Sequence, residues 1–253
     1  MNKFFRGRRV LNLAHPLGRA MVGFWAFNEG AGTLVTNAVT GKQSSMSGSV
    51  WSKQSGGTSL YHDNNADTTT LLADSSVLST TSMTIVLIDH CPTATGSGNT
   101  GGLFATNSSA CTNLYVPYSG GGLYWDFGGV GGTNRLNTSW PGSYGTAAQY
   151  GFRAGKLGSS IWMNGKSLIS QGTAITRSSS STAWGLGGAN GNNGNPFKIN
   201  ALLLWNRELS DFEMVRAQAD PWSMFRGPGS SIFLNAADMS WFKWRKRRRD
   251  TYF

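Results

Sequence analysis

The 253-residue chain contains only 2 cysteines and no long apolar run, and each scarcity excludes a class of protein. Two cysteines are too few for the disulfide framework that stabilises small secreted domains. Cys91 and Cys111 would pair only if their strands are neighbours, and we expect free thiols instead. No apolar run approaches the roughly 18 residues of a membrane-spanning helix, so we expect no membrane span.

The start of the chain also lacks the pattern of an export signal. Arg6, Arg8 and Arg9 imitate the basic start of a signal peptide, but His15 and Pro16 interrupt the apolar residues that follow. A signal peptide needs an uninterrupted apolar segment of roughly 7–15 residues at this point. We therefore expect a chain that is made in a cytoplasm and carries no signal peptide.

What the chain has in abundance is glycine, with 34 residues, together with many serine, threonine and asparagine residues and 12% aromatic residues. This composition is typical of all-β proteins in which tight turns join many short strands. Apolar or alternating runs predict strands at residues 21–27, 69–72, 83–88, 103–105, 114–116, 123–127, 149–153, 160–163, 168–171, 183–186 and 199–205. Asn164 and Gly165 predict a two-residue hairpin turn, because both tolerate the positive φ angles of a type I′ turn.

One segment near the C-terminal end predicts a helix. Ser210 and Glu213 have the spacing of a capping box, in which each side chain accepts a hydrogen bond from the other residue's backbone N–H. Proline cannot continue a helix, so Pro221 marks its end. The pattern predicts a short helix at about residues 210–219, with Phe212, Val215 and Ala219 on its apolar face.

Three segments resemble, in their order along the chain, the laminin G-like branch of the concanavalin A-like lectin/glucanase superfamily. They are the opening MVGFWAFNEGAGTLV, the WMNG hairpin, and INALLLWNRELSDFE followed by ADPW. More narrowly, the opening LAHPLGRAMVGFWAFNEG and the closing DPWSMF look like parts of lectin-fold proteins encoded by tailed bacteriophages.

The resemblance implies an all-β fold, a concanavalin A-like two-sheet antiparallel jelly-roll sandwich with one short C-terminal helix. It divides the chain into a basic N-terminal arm at residues 1–19, a laminin G-like domain at residues 20–225, and a basic, aromatic C-terminal arm at residues 226–253. The strands and turns noted above agree with such a sandwich. A fold alone does not define a function.

Acidic residues are too sparse for the catalysis that glucanases of this superfamily perform. Glycoside cleavage uses a pair of carboxylates that flank the bond. Between Ser75 and Arg207 the acidic residues are Asp89 and Asp126, and no spacing pairs them. The three histidines form no metal-binding array, and there is no G-x-S-x-G motif. We therefore expect a protein that is not an enzyme, with a glycoside hydrolase as the alternative.

Calcium sites are common in laminin G-like domains, but Asn37 and Asn200 stand where the resemblance implies acidic residues. Calcium prefers several hard oxygen ligands that include carboxylates. We therefore expect no metal and no cofactor, with calcium as the alternative. Asp63, Asn65 and Asp67 weakly imitate a calcium loop, but the required glycine is missing, and a polar turn is the better interpretation.

Aromatic residues near the glycine-rich loops are candidates for carbohydrate binding. Lectins stack aromatic rings on the C–H faces of sugars and direct hydrogen bonds to their hydroxyls. The candidates are Tyr118, Tyr124, Trp125, Asp126, Trp140 and Tyr144, with ordinary packing as the alternative. Trp25, Trp162 and Trp205 lie on clear strands and are expected in the core.

The net charge of +10 is concentrated at the two ends of the chain, since residues 1–19 and 243–250 carry +5 each. Basic runs attract acidic partners such as nucleic acid, anionic lipid or acidic protein surfaces. The expected anchoring residues are Phe4, Phe5, Arg6, Arg8 and Arg9 in the first arm, and Trp241, Trp244, Arg245, Lys246, Arg247, Arg248 and Arg249 in the second. A solvated tail is the alternative.

Together these patterns predict a non-catalytic structural protein of a bacteriophage virion, as a capsid decoration protein, a head fibre or a tail-associated protein. Its lectin-like domain would bind host-surface glycans, and its arms would attach it to capsid or tail proteins as a homo-oligomer. A glycoside hydrolase or a soluble carbohydrate-binding protein is the alternative. Nucleic-acid contact through the C-terminal arm is a third hypothesis.

Overall fold

The computed structural model describes residues 11–12, 14–54, 57–63, 68–71, 81–93, 99–100, 103–105, 112–118, 120–129, 134–176, 184–187 and 194–225. The strands are β1 (Met21–Trp25), β2 (Leu34–Thr36), β3 (Gln43–Ser47), β4 (Val50–Gln54), β5 (Gly57–His62), β6 (Thr68–Leu71), β7 (Met83–Pro92), β8 (Asn99–Thr100), β9 (Leu103–Ala105), β10 (Thr112–Tyr115), β11 (Gly122–Phe127), β12 (Arg135–Ser139), β13 (Ala148–Gly155), β14 (Gly158–Met163), β15 (Lys166–Gln171), β16 (Trp184–Gly187), β17 (Gly194–Asn195), β18 (Phe197–Ile199) and β19 (Ala201–Trp205). Helix α1 spans Asp211–Ala219, and 3₁₀ turns occupy Pro16–Gly18 and Ser223–Phe225.

Most of these strands belong to two antiparallel sheets. The first sheet has nine strands, seven of them in the order β15-β14-β13-β7-β18-β5-β4, while β19 pairs with both β7 and β1. The second sheet has eight strands in the order β12-β11-β10-β9-β16-β6-β3-β2. A small parallel pair, β8 with β17, lies outside both sheets. The predicted all-β sandwich with one short helix is confirmed.

The main hydrophobic core lies between the two sheets. Strand β11 contributes Leu123, Trp125 and Phe127, and β13 contributes Tyr150 and Phe152 from the opposite sheet. The Trp125 ring is fully buried, and its centroid lies 5.7 Å from the centroids of Phe127 and of Phe152. Alternate residues of each strand therefore join the two sheets through aromatic packing, as in other sandwiches.

A second hydrophobic cluster covers the outer face of the first sheet. Met214 and Ala217 of α1 belong to it together with Phe24 of β1. The indole Nε1 of Trp205 donates to the carbonyl of Leu17 at 2.6 Å, which ties the chain before β1 to β19. Trp25, Trp162 and Trp205 are 1%, 5% and 0% exposed, so their predicted burial is confirmed. Among the described residues, no helix covers the outer face of the second sheet in the same way.

The predicted capping box is present at the start of α1. The Ser210 hydroxyl accepts from the backbone N–H of Glu213, and the Glu213 carboxylate accepts from the backbone N–H of Ser210. Arg207 donates to both oxygens of that carboxylate at 2.8 Å. The Arg207 hydrogen bonds hold the pKa of Glu213 below its usual range. The ion pair thus ties the first turn of the helix to the segment that follows β19.

The prediction for the buried face of α1 was wrong. Phe212 and Val215 are 74% and 42% exposed, and Ala219 is exposed as well. The buried residues are instead Met214, Ala217 and Gln218. Their face contacts β13 at Gly151, where a Cβ would come within 2.7 Å of Met214 Cε. The helix therefore presents the side chains that fit over a glycine, and local hydrophobicity does not decide its rotation.

This rotation predicts a large loss of stability on replacing one apolar residue of α1 and a small effect on replacing another. We expect Met214→Ala to lower the free energy of unfolding by about 2–4 kcal/mol, because it leaves a cavity between helix and sheet. We expect Phe212→Ala to change it by less than about 0.5 kcal/mol, because the ring is exposed. Urea unfolding followed by tryptophan fluorescence measures both. A larger loss for Phe212→Ala would contradict this packing.

The predicted hairpin turn is confirmed at Asn164 and Gly165, whose φ angles are 51° and 78°. Each predicted strand coincides with an observed one, although the 199–205 run is divided into β18 and β19. Strands such as β3 were missed. Its buried side chains are Ser44 and Met46, and a single apolar residue gives no detectable alternation.

Candidate functional site

The outer face of the second sheet carries a group of aromatic and polar side chains on β10, β11 and β12. Asn113 lies opposite Asp126, and Tyr115 lies opposite Tyr124. Alternate residues of a strand point to opposite faces, and Leu114 between them belongs to the core. These four side chains therefore share the outer face.

Three tyrosines on this face form a tyrosine cluster, consisting of Tyr115, Tyr118 and Tyr124. The centroid of Tyr118 lies 5.0 Å from that of Tyr124 and 5.4 Å from that of Tyr115, and both pairs meet edge to face. Tyr115 is 8% exposed, and the other two are half-buried. Edge-to-face packing fixes the ring orientations, so the cluster offers solvent a preformed aromatic surface.

Glycine makes room for the Tyr124 ring. Gly122 lies two residues earlier on the same face of β11, and a Cβ there would come within 2.7 Å of Tyr124 Cε2. Real Cβ atoms do not approach so closely. The ring therefore leans along the strand over Gly122. A residue with a side chain at position 122 would force the ring to move.

An ion pair lies beside the cluster. Arg135 donates from Nε to Asp126 Oδ1 at 2.6 Å and from Nη2 to Oδ2 at 2.7 Å, which is a bidentate arrangement. The Asp126 side chain is fully buried, whereas that of Arg135 is 27% exposed. The hydrogen bonds that Arg135 donates to Asp126 raise the pKa of Arg135 above its usual range. The guanidinium also lies 5.0 Å from the centroid of the Tyr124 ring, a cation–π contact.

The Asn113 side chain is another polar group on this face. The residue is 9% exposed, and among the described residues no donor reaches its Oδ1 atom. A buried acceptor without a donor costs free energy. Its position is opposite Asp126, beneath the surface of the sheet.

Two of the six carbohydrate-binding candidates do not lie at the surface, which corrects the sequence interpretation. Trp125 is 0% exposed and belongs to the core between the sheets, where its Nε1 donates to the carbonyl of Arg153. Asp126 is also 0% exposed and is engaged by Arg135. Both lie in the regular strand β11, so alternation places them on opposite faces of the sheet.

Trp140 and Tyr144 form a separate pair, with ring centroids 4.9 Å apart. The indole of Trp140 packs against the edge of the main core and donates from Nε1 to the Tyr150 hydroxyl at 2.8 Å. Burial raises the pKa of Tyr150 to about 12, so that hydroxyl is neutral and accepts the bond. The structure therefore brings Tyr118 and Tyr124 together but places Trp140 and Tyr144 in another group.

The sequence interpretation missed Tyr115, Asn113 and Arg135. Tyr115 and Asn113 lie on β10, before the glycine-rich turn that leads into β11, and Arg135 lies on β12, opposite Asp126. A signal for them existed in the alternation of TNLY and LYWDF. Pairing those segments through their turn places both tyrosines and both polar residues on one face.

The histidines have packing roles. Phe197 stacks on His62 with a centroid distance of 4.6 Å and on His90 with a distance of 4.9 Å. His15 accepts from the backbone N–H of Leu17 through Nδ1. Among the described residues, no group of three or more His, Cys, Asp and Glu side chains is arranged to hold a metal ion.

The positions discussed for calcium are engaged in hydrogen bonds. Asn37 is fully buried, and its Oδ1 accepts from the backbone N–H groups of Phe24 and Val39. Asn200 Nδ2 donates to Asp89 Oδ2 at 2.9 Å. Asp63 is exposed. Asn65 and Asp67 lie outside the described residues.

Several other predictions also fall outside the described residues. They concern Cys111 and the anchoring residues Phe4, Phe5, Arg6, Arg8, Arg9, Trp241, Trp244, Arg245, Lys246, Arg247, Arg248 and Arg249. Cys91 is half-buried, and burial raises the pKa of its thiol. In the part of the chain that the structure describes, no helix has the length and apolar character needed to cross a membrane.

Known structures resemble this sandwich, although no family model matches the chain and no characterised protein matches its sequence. Trypanosoma rangeli sialidase in complex with 2,3-difluorosialic acid superposes with a TM-score of 0.60 at 11% identity, covering 81% of this chain and 34% of the sialidase. The binding domain of Paraclostridial Mosquitocidal Protein 1 superposes with a TM-score of 0.58 at 10% identity, covering 78% of this chain and 51% of that domain. The botulinum neurotoxin serotype G binding domain superposes with a TM-score of 0.57 at 13% identity, covering 77% of this chain and 50% of that domain.

The chain thus spans about a third of the sialidase and about half of each toxin binding domain. Identities this low establish a shared β-sandwich fold and nothing finer. That fold is compatible with the concanavalin A-like architecture expected from the sequence.

Proposed function

We propose that this chain is a non-catalytic, lectin-like β-sandwich that binds glycans through its tyrosine cluster. The observation that carries the proposal is the tyrosine cluster itself, which lies beside a bidentate ion pair on the outer face of the second sheet, where the described residues include no covering helix. Binding sites typically combine apolar and aromatic surface with a few placed polar groups. A sugar offers C–H faces to the rings and hydroxyls to the polar groups.

The similarity to a sialidase and to toxin binding domains supports the proposal at the level of the fold. One of those structures is a sialidase bound to a sialic acid derivative, so a sandwich of this kind occurs within a glycan-processing protein. The tyrosine cluster supplies the argument specific to this chain.

Binding to a panel of immobilised glycans, followed by calorimetry on those retained, tests the proposal. We expect Tyr124→Ala to weaken binding about tenfold, because losing one ring contact removes about 1.5 kcal/mol. Tyr61→Ala is a matched control, since Tyr61 is a half-buried strand tyrosine of the first sheet with the Lys198 ammonium 5.2 Å from its ring. Equal losses in both variants, or none in either, would contradict the assignment of the site.

We also propose that the chain is not catalytic, because two carboxylates are already engaged by neighbouring side chains. Asp126 is held by Arg135, and Asp89 on the first sheet accepts from Gln149 Nε2 and Asn200 Nδ2. A glycosidase needs two carboxyl groups roughly 5–10 Å apart, one of them free to move a proton. Incubation with the glycans that bind should release no reducing ends. Turnover would establish a glycoside hydrolase instead.

We further propose that the chain is a structural protein of a bacteriophage virion, attached to capsid or tail proteins through its two basic arms. The support is the sequence resemblance to phage-encoded lectin-fold proteins and the charge of +5 in each arm. Such arms would pair charges and bury aromatic side chains on acidic protein surfaces.

Deletion of residues 240–253 tests this attachment. We expect mass spectrometry of purified virions to detect the full chain but not the truncated one, while both have the same thermal unfolding midpoint. A variant with glutamine at positions 245–249 keeps the aromatic residues and isolates the contribution of charge. Absence of the full chain from virions would refute the structural role. DNA binding that weakens with salt and is lost on truncation would favour nucleic-acid contact.

A further inference from the structure

The first and last described segments of the chain meet on the outer face of the first sheet. The backbone N–H of Asn12 donates to the carbonyl of Met224 at 2.8 Å. Met224 and Phe225 are buried in the hydrophobic cluster that covers this face. Residues 1–10 and residues 226–253 are therefore joined to the sandwich at adjacent points.

These two segments carry nearly all of the net charge. Residues 1–10 hold four basic side chains and no acidic one, and residues 226–253 hold seven basic and two acidic side chains. Together they account for +9 of the net charge of +10, so the rest of the chain is almost neutral. Because both segments start from one place, their positive charge is tethered to one side of the sandwich, where it attracts an acidic partner.

Helix α1 lies over the same face and exposes apolar side chains on its far side. Met214 and Ala217 belong to the same cluster as Met224, whereas Phe212 is 74% and Val215 is 42% exposed. A helix with about 3.6 residues per turn places position 212 almost opposite position 214, so the Phe212 ring points away from the sheet. Among the described residues, Phe212 is the most exposed of the large apolar side chains.

The tyrosine cluster lies on the opposite side of the sandwich. On β19 of the first sheet, Leu203 belongs to the outer cluster, whereas Leu202 and Leu204 belong to the main core. On β10 of the second sheet, Leu114 belongs to the main core, and Tyr115 lies on the other face. Both sheets and the core between them thus separate the tyrosines from α1 and the two basic segments. A partner that covers α1 leaves the tyrosine cluster free to bind a ligand.

We infer that the outer face of the first sheet, around α1 and the adjoining residues Asn12 and Met224, is the docking face for a virion protein. The surface of that partner is apolar where it meets Phe212 and Val215 and acidic where it meets the two basic segments. This inference rests on the proposed structural role in a virion. It directs the tyrosine cluster away from the particle, toward the glycans of a host surface.

The two basic segments act on one partner, because they start from adjacent points. Once one segment is bound, the other is held at a high effective concentration beside the same surface. Deletion of residues 1–10 should therefore lower the number of copies per virion at least tenfold, although residues 226–253 are intact. An unchanged copy number would show that the N-terminal segment takes no part in docking.

Substitutions at Phe212 test the docking face itself, with copies per virion counted by quantitative mass spectrometry of purified particles. When the chain is supplied in limiting amount, Phe212→Ala should lower the count about tenfold, because the interface loses one ring. Phe212→Asp should lower it further, since its carboxylate repels an acidic partner, and an acidic residue in the first turn does not destabilise a helix. Leu34→Ala is the control, because Leu34 is a 44% exposed apolar residue of the second sheet. Its count should not change.

The same particles test the orientation. Virions that carry the native chain should be retained by the immobilised glycans that bind the free chain. Tyr124→Ala should abolish this retention without changing the number of copies. Particles that carry the chain but are not retained, although the free chain binds, would overturn the outward orientation.

The outcomes separate the docking face from the proposed function. A normal count for Phe212→Asp would overturn the docking face and leave the virion role in place, since the native chain is then still found on particles. Absence of the native chain from virions would refute the virion role and this inference with it. DNA binding by the purified chain that either deletion abolishes and Phe212→Asp leaves unchanged would assign the basic segments to nucleic acid instead.

Discussion

Replacement of Gly158 by alanine is expected to open the hairpin of β14 and β15 and to lower the free energy of unfolding by about 4 kcal/mol or more. Gly158 has a φ angle of 98°, which residues with a side chain rarely adopt. A Cβ at this position would also overlap the backbone oxygen of Gln171. Backbone atoms cannot rotate aside as the end of a side chain does, so the strand pairing has to yield.

Gly172 in the same hairpin is the matched control. A Cβ there would meet no heavy atom within 4 Å, so Gly172→Ala should change the free energy of unfolding by less than about 0.5 kcal/mol. Urea denaturation followed by circular dichroism compares the two variants. Similar midpoints for both would show that β14 accommodates a side chain and would contradict the described pairing.

The features that were predicted correctly are those that short segments encode. The capping box of Ser210 and Glu213 and the turn at Asn164 and Gly165 depend on residues at most three positions apart. Their hydrogen bonds and φ preferences are properties of those residues alone. The strands of the core followed in the same way from their apolar runs.

The candidate site depends instead on register between strands. Arg135 joins Asp126 only because β11 and β12 pair with these two residues opposite each other. Tyr115 lies against Tyr124 for the same reason on β10. A shift of one residue would turn either side chain toward the core, so proximity along the chain could not identify the group.

The helix shows a different limit of sequence reasoning. Phe212 and Val215 are more hydrophobic than Ala217 and Gln218, and on that scale they define the inner face. The actual inner face packs Met214 and Gln218 over Gly151 of β13, a residue far away along the chain that no helical pattern includes. Gln218 also accepts from the backbone N–H of Gly165 through Oε1, a bond that no helical pattern reveals.

The second large effect is expected at Trp125, which the sequence placed among the sugar-binding candidates and the structure places in the core. Trp125→Ala should lower the free energy of unfolding by about 3–5 kcal/mol, because it removes a fully buried ring that packs against Phe127 and Phe152. It also removes the hydrogen bond that Trp125 Nε1 donates to the carbonyl of Arg153. Urea denaturation measures the loss.

The phenylalanine variant separates a structural role from a binding role. Trp125→Phe keeps most of the buried ring, so we expect a smaller loss of about 1–2 kcal/mol from the missing volume and hydrogen bond. Its affinity for the glycans retained by the native chain should stay within about twofold, because the ring at 125 faces away from the tyrosine cluster. Should Trp125→Phe weaken binding as much as Tyr124→Ala, the binding surface would have to extend to the inner side of β11. Unchanged affinity together with reduced stability would confine it to the outer face, where Tyr118, Tyr124 and Asn113 lie.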